Sequence, residues 1–457
     1  MSSFPPDGGT VRLRAAWVLP ICGPPLADHE VVVEDGCIVE VRPWRSASGP
    51  ATDVVDLGRC ALLPTFVNAH THLEYNIFRG RLEDIDFFPW IGALMALKPS
   101  LTEPDWLASA TMGAAEAAAG GTGTIADCTD AGTAAAGAAT IGLRGVIHQE
   151  VFGIDGKQTV QETVAALDAK LARMATALQG SLLTPAVSPH APYTVRPELM
   201  SALARYAKDR GLRLCIHASE SRAEAELMLR GSGVIARRLA DRGIAWETPG
   251  VTTVAHLARH GLVTDRTLLV HGVQVSRTDA RAASQAGASW VHCPKSNAKL
   301  GNGVAPLWAL RAACPTGNLG LGTDSAASNN GLDMLEEMRF AVLMHRASRR
   351  RIDAMDAVQA LEMATLGGAR ALGMADQIGT LERGKRADLT AIRLDRLHTA
   401  PCYDPASALV YTASARDVAL TMVDGRPIWW RGRHAANLAA HRRQFRTAAH
   451  KLAVAPR

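Results

Sequence analysis

Two short β-branched runs, Val31-Val-Val-Glu34 and Cys37-Ile-Val-Glu-Val41, flank the dipeptide Asp35-Gly36. That arrangement predicts a hairpin closed by a type I′ turn, whose two central residues must both take positive φ. The pattern recurs far downstream. Ala387-Asp-Leu-Thr-Ala-Ile392 and Val418-Ala-Leu-Thr-Met-Val423 read as strands, and Asp424-Gly425 ahead of Pro427-Ile-Trp-Trp430 predicts a second hairpin. Both ends of the chain are therefore β-rich. Between about Leu62 and Ala375, short apolar runs alternate with Ala-rich amphipathic stretches, the signature of repeated βα units. The strand-like runs lie at 61–66, 122–127, 145–150, 182–188, 213–217, 267–271, 289–293 and 318–322. Their number is that of a (β/α)8 TIM barrel, with a broken or doubly wound sheet as the structural alternative.

The Ala/Gly-rich stretch 110–123 predicts a helix from its Ala content and a helix stop from Gly120-Gly121-Thr-Gly123. Near the C-terminus, Ala and Leu recur at helical spacing opposite several Arg residues. A terminal helix over 435–457 is predicted, packed on its own subunit or on a dimer mate. The expected organisation is a β-rich part at 1–61, a barrel at 62–375, a second β-rich part at 376–434, and that helix. No self-similarity at 20 to 50 residues is present, which excludes a solenoid.

Composition narrows the classes. With 457 residues, 47% hydrophobic and 20% charged, the chain can bury a sizeable core and is neither disordered nor fibrous. Lys plus Arg exceed Asp plus Glu by only 5, and the segment Arg431 to Arg457 supplies that excess, so no nucleic-acid partner is expected. The eight cysteines include no C-x-x-C pair, which favours a reduced, cytoplasmic protein. The start Met1-Ser-Ser-Phe-Pro-Pro-Asp-Gly lacks the pattern of an export signal, and no apolar run approaches a membrane span.

Candidate chemistry falls at the C-terminal ends of the predicted strands, where barrel enzymes carry their sites. Pro64-Thr-Phe-Val-Asn-Ala-His70-Thr-His72 ends the first, and the two-residue period of an extended chain puts His70 and His72 on one face. Arg213-Leu-Cys-Ile-His217 adds an imidazole and Gly317-Asn-Leu-Gly-Leu-Gly-Thr-Asp324 a carboxylate. Three neutral nitrogens and one carboxylate, with room for water, suit a catalytic metal site rather than a closed structural one. His271 ends another strand, placed to meet the water or the substrate. Glu220 lies three residues beyond His217, close enough to shuttle a proton without being a ligand. His190, in Ser188-Pro-His-Ala-Pro-Tyr193, is held by two prolines and is expected to contact substrate.

These blocks, together with Leu63-Pro-Thr-Phe-Val-Asn-Ala-His70-Thr-His72-Leu-Glu74, His292-Cys-Pro-Lys-Ser-Asn-Ala-Lys-Leu-Gly-Asn-Gly303 and Leu321-Gly-Thr-Asp324-Ser-Ala-Ala-Ser-Asn-Asn330, run in order along most of the chain. With them the chain resembles the amidohydrolase superfamily. Within it, the blocks are most similar to the cytosine-deaminase-like and chlorohydrolase-like branch, which includes S-adenosylhomocysteine, 5′-methylthioadenosine and aminodeoxyfutalosine deaminases. The resemblance implies hydrolytic release of ammonia from a small aminated N-heterocycle of the adenine-nucleoside type. Triazine chlorohydrolase or aminohydrolase, guanine deaminase and cyclic amidase are the alternatives on the same scaffold, and intact ligands plus Glu220 speak against a non-catalytic binding protein.

The resemblance also assigns His70, His72, His217 and Asp324 to the metal. Glu220, His271 and Asp324 fall to catalysis, and His190, Trp90 and Glu74 to the substrate. One divalent ion is implied, Zn2+ in first place and Fe2+ in second, because no lysine ends the third or fourth strand to bridge two ions as a carbamate. A homodimer is implied, as is the pairing of the two β-rich ends into one small β-sandwich. One departure stands out. Where adenosylhomocysteine-type enzymes carry an acidic residue past the tryptophan matching Trp90, this chain reads Ala96-Leu-Lys98-Pro-Ser100. His72-Leu-Glu74 and Phe87-Phe-Pro-Trp90-Ile instead resemble the aminodeoxyfutalosine-type pattern.

Overall fold

A computed structural model describes residues 9–45 and 54–454. Its centre is a ring of parallel strands in the order Phe66–His72, Thr122–Thr129, Arg144–Val151, Leu182–Pro189, Leu214–Ala218, Thr267–His271, Ser289–His292 and Leu319–Leu321. The ring closes because the last strand resumes at Asp324–Ser325 and pairs in parallel with the first, Asp324 opposite Thr71 and Ser325 opposite His72. This is the (β/α)8 barrel. Alternate strand residues divide between two cores, as the pleat requires. Val67, Ala69, Ala126, Cys215, Leu268, Val270 and Val291 fill the interior, while Ile125, Ile147, Ile216, Leu269 and Trp290 face the surrounding helices.

The two chain ends build the second layer. One mixed sheet runs Arg433–His434, Arg426–Trp430, Val418–Val423, Leu389–Arg393, Cys60–Pro64, Thr10–Val18, Leu26–Glu34, Cys37–Pro43, with Val54–Asp56 alongside Thr10–Val18. It folds over itself as a small β-sandwich. Leu13, Val31 and Ile38 from one half share a core with Leu389, Leu420 and Met422 from the other. Both predicted hairpins form, and Asp35, Gly36, Asp424 and Gly425 all have positive φ. The two turn tips pack on each other so closely that a Cβ on Gly36 would sit 2.6 Å from the Asp424 carbonyl oxygen. Glycine is needed there for space as well as for φ.

One predicted strand is corrected. Residues 61–66 were expected to open the barrel, but Cys60–Pro64 belongs to the end sheet, antiparallel to Leu389–Arg393, and the barrel starts at Phe66. The run is buried throughout, so hydrophobicity carries no mark of the passage from one sheet to the other. The Ala-rich helix spans Glu103–Ala119 and stops at Gly120, as predicted. The terminal helix begins at Ala439 and packs on Glu103–Ala119 of its own chain, where Gln444 and Lys451 each donate to the Asp105 carboxylate at 2.7 Å. Among the described residues no helix is long and apolar enough to cross a membrane.

Candidate metal centre and active-site cavity

Three backbone departures aim the site residues. Along Phe66–His72, Asn68 pairs with Ile125 and Thr71 with Asp127, three residues against two, which is a β-bulge. The extra residue lets Ala69 face the interior core and yet turns His70 and His72 inward as well. His271 follows Val270, itself an interior residue, and takes φ 76° to swing its ring inward instead of outward. The last strand breaks at Gly322-Thr323, where a Cβ on Gly322 would lie 2.8–2.9 Å from the backbone and Cβ of His70. Asn68 clamps this break, donating to Thr323 Oγ1 at 2.8 Å and accepting from Thr323 N–H at 3.0 Å. The break delivers Asp324, at φ 58°, against His70 and His72. Strained backbone of this kind persists where surrounding structure over-determines it, commonly at functional sites.

The four predicted ligands converge. His72 Nε2 lies 3.4 Å from His217 Nε2, and Asp324 Oδ1 lies 3.6 Å from His72 Nε2 and 3.7 Å from His70 Nε2. Ligands at tetrahedral angles around an ion 2.0–2.1 Å away stand about 3.4 Å apart, so the spacing matches. The donor atoms of His70, His72 and His217 fall within 4.8 Å of one another, and the buried His70 Nε2 has no hydrogen-bond partner. Such an orphaned nitrogen, among two more imidazoles and a carboxylate, fits a divalent cation of the zinc type.

Outer contacts hold the ligands in place. His217 Nδ1–H donates to the His190 carbonyl at 2.9 Å. Asp324 Oδ2 accepts from Ser296 Oγ at 2.6 Å and Ser328 Oγ at 3.0 Å, and Oδ1 from Ser325 N–H at 2.7 Å, so Oδ1 is the oxygen facing the imidazoles. Burial alone would raise the Asp324 carboxyl, but the facing His70 imidazole, with His271 and His72 around it, holds it well below the usual carboxylate range.

Glu220 and His271 stand beside the centre, 3.8 Å apart between Oε1 and Nε2. Burial, with the nearby charges of Asp324 and Glu224, pushes the Glu220 carboxyl well above its ordinary value. Glu224 secures the turn beneath it by accepting from the backbone N–H groups of Ser219 and Glu220, both at 2.8 Å. Burial drives the His271 imidazole down to about 3, so it is neutral. Its Nδ1–H donates to Asn297 Oδ1 at 2.9 Å, which leaves Nε2 as an acceptor toward the cavity.

These groups form the floor of a cavity of about 590 Å³, within the range of small-molecule sites. Phe87, Trp90, Ile91, Leu94 and Phe152 make an apolar wall; His190, Tyr193 and Lys98 also line it. His190 and Trp90 thus line the cavity. Glu74 does not. The chain turns into a 3-10 helix at Leu73–Phe78, and the Glu74 carboxylate passes under the loop 129–134. There it accepts from Thr133 N–H at 2.7 Å, Ala131 N–H at 3.0 Å and Asp130 N–H at 3.1 Å, and from the Thr129 hydroxyl. It anchors a loop and has no free lone pair to offer a substrate.

Further groups at the site carry no individual role in the sequence reading, although Ser296, Asn297 and Asn302 lie in the block His292 to Gly303. Ser296 and Asn297 act through ligand and acceptor contacts just given, and Asn302 donates to Glu220 Oε1 at 3.2 Å. Glu150, at the end of the third barrel strand, lines the cavity with Oε1 unpartnered; its strand-end position was the available signal.

Residues 61–428 match the model of the amidohydrolase family. This chain belongs to that family. A curated family relative, a 5-methylthioadenosine/S-adenosylhomocysteine deaminase from Desulforudis audaxviator, is 32% identical over 425 residues, 92% of this chain and 93% of the relative. Among solved structures, an adenosine deaminase from Xanthomonas campestris with bound zinc superposes with a TM-score of 0.85 at 30% identity, covering 99% of this chain and 100% of the other. An atrazine chlorohydrolase from Arthrobacter aurescens, also with zinc, shares the amidohydrolase fold at TM-score 0.83 and 23% identity, covering 96% and 100% of the two chains.

Proposed function

We propose that the protein is a metal-dependent deaminase that converts an aminated N-heterocycle of the adenine-nucleoside type and water into the oxo compound and ammonia. The observation that carries this reading is the convergence of His70, His72, His217 and Asp324 at the floor of an apolar cavity, with Glu220 and His271 beside them. The names of the relatives at 30–32% identity support the reaction class and the substrate class. We assign His70, His72, His217 and Asp324 as ligands of one zinc ion, and further propose a homodimer in the cytoplasm.

A divalent ion held by His70, His72, His217 and Asp324 would lower the pKa of water toward neutrality and so would supply the nucleophile. The remaining chemistry falls to the side chains. Glu220, buried and a reluctant anion, takes a proton from the attacking water and delivers it to the ring nitrogen next to the attacked carbon. Asp324 orients the attacking oxygen through Oδ1, because Oδ2 is held by Ser296 and Ser328. His271 accepts a hydrogen bond at Nε2 and steadies the same oxygen. Trp90 offers a flat apolar face to the heterocycle and His190 a polar contact at the mouth. The carbon–oxygen bond forms, Asp324 takes the second proton of the water from that oxygen and it passes to the amine, and the carbon–nitrogen bond breaks to release ammonia and leave the oxo group.

An ammonia-release assay of the zinc-loaded protein tests this, run against adenine nucleosides, aminodeoxyfutalosine, guanine, cytosine, pterins and triazines. Equimolar ammonia and oxo-purine from an adenine nucleoside is the expected result. Chloride from a chlorotriazine, or a ring-opened acid from a cyclic amide, with no ammonia from any purine, would overturn it.

A further inference from the structure

Among the described residues, Glu150 is the one buried acid lining the cavity that the mechanism does not employ. It ends the strand Arg144–Val151, is buried, and has Oε1 without a hydrogen-bond partner. That oxygen lies 3.9 Å from His72 Nδ1 and 3.9 Å from His190 Nε2. The donor atoms of Glu150, His190 and His217 also fall within 4.8 Å of one another, the spacing of a second cation site. His217 removes that option. Its Nδ1 is bonded to the His190 carbonyl, and the single lone pair of Nε2 faces His72 in the four-ligand centre. Glu150 and His190 alone are too few to hold an ion.

The carboxylate answers a different need. With Nε2 of His72 turned to the centre, a neutral imidazole carries its proton on Nδ1. That nitrogen is buried and has no partner. Two orphans of opposite hydrogen-bonding sense therefore face each other, and a closure of about 1 Å would bring them into hydrogen-bond range. His217 already has its outer nitrogen held, by the His190 carbonyl, and His72 lacks the equivalent. Metal-ligating histidines generally donate that outer N–H to a carboxylate or carbonyl.

We propose that Glu150 is the positioning residue of His72: its carboxylate accepts the Nδ1–H and fixes the tautomer and ring orientation that present Nε2 to the metal. This rests on the four-ligand metal reading above. The test is competition of the zinc-free protein with a chromophoric chelator for Zn2+, in wild type, Glu150→Leu and Glu150→Gln. Leucine fills the volume without an acceptor, and its zinc affinity should fall about 10- to 100-fold. Glutamine keeps an acceptor oxygen and should restore most of the loss, and KM at saturating zinc should stay at the wild-type value in both. Melting of the zinc-free proteins checks folding, and Glu150→Ala replaces leucine in the same assay if leucine does not fold. Wild-type zinc affinity in the variant lacking an acceptor would overturn the proposal, as would an unchanged affinity with a raised KM, which would make Glu150 a substrate contact. A wild-type protein that binds no zinc would overturn the metal reading itself, whatever the variants do.

Discussion

At the scale of single residues, Glu220 carries the sharpest consequence. Its carboxyl is held above the ordinary range near 4.3 chiefly by burial, then by the charges of Asp324 and Glu224. A protonated Glu220 cannot take a proton from water. Activity is therefore present above its pKa and lost as pH falls through it, so kcat/KM should show an acid limb centred above the usual carboxylate value. His271, down at about 3, contributes nothing to that limb. Glu220→Gln should keep the metal, lose about 10²-fold or more in kcat, and abolish the limb. Wild-type turnover in that variant would remove Glu220 from the mechanism. The convergence of His70, His72, His217 and Asp324, with Glu220 beside them, was legible in the sequence because strand ends and the two-residue period are local features. Glu74 was placed at the substrate by family resemblance alone, and the strand has already ended before it, so that the chain coils beneath the loop 129–134. Glu150 was visible as a strand end, yet its partner sits on another strand and only folding brings His72 within 3.9 Å.

At the scale of elements, the irregularities place the chemistry. A regular first strand would face His70 away from Ala69, and an unbroken last strand would not bring Asp324 back to Thr71. Neither the bulge at 68–71 nor the break at Gly322-Thr323 leaves a hydrophobic pattern, so both are invisible to periodicity. The same holds for the junction at Pro64, where two buried strands of different sheets are separated only by the buried Thr65. The terminal helix was legible as a helix, and its docking partner depends on one buried side chain. Asp105 caps the helix Glu103–Ala119 by accepting from Thr102 N–H at 2.9 Å, and also accepts from Gln444 and Lys451. Burial would raise this carboxyl, but those bonds hold it below its ordinary value, so its contribution stands at neutral pH and is lost only in strong acid. Asp105→Ala should cost about 2–3 kcal/mol from the cap and the lost charged hydrogen bonds. Amide exchange of 439–454 should accelerate ahead of the barrel. Exchange unchanged along that helix would show that its apolar contacts hold it without Asp105.

At the scale of the whole molecule, the barrel and the end sheet are joined through buried charge. Arg144, at the start of the third barrel strand, donates to Asp388 at 2.7 and 3.1 Å and to Asp424 at 3.2 Å, so the second hairpin turn is keyed to the barrel. The barrel was readable from eight local runs. The closing of the end sheet was not, because Cys60–Pro64 meets Leu389–Arg393 across more than three hundred residues, and only family resemblance pointed to it. What this architecture accomplishes is to bring side chains from the first, fifth and eighth barrel strands to one point. Isothermal titration of the zinc-free protein with Zn2+ tests that convergence most directly. One tight equivalent per chain is expected, lost when His217→Ala and Asp324→Ala are combined. No binding, or binding that survives that double substitution, would contradict it.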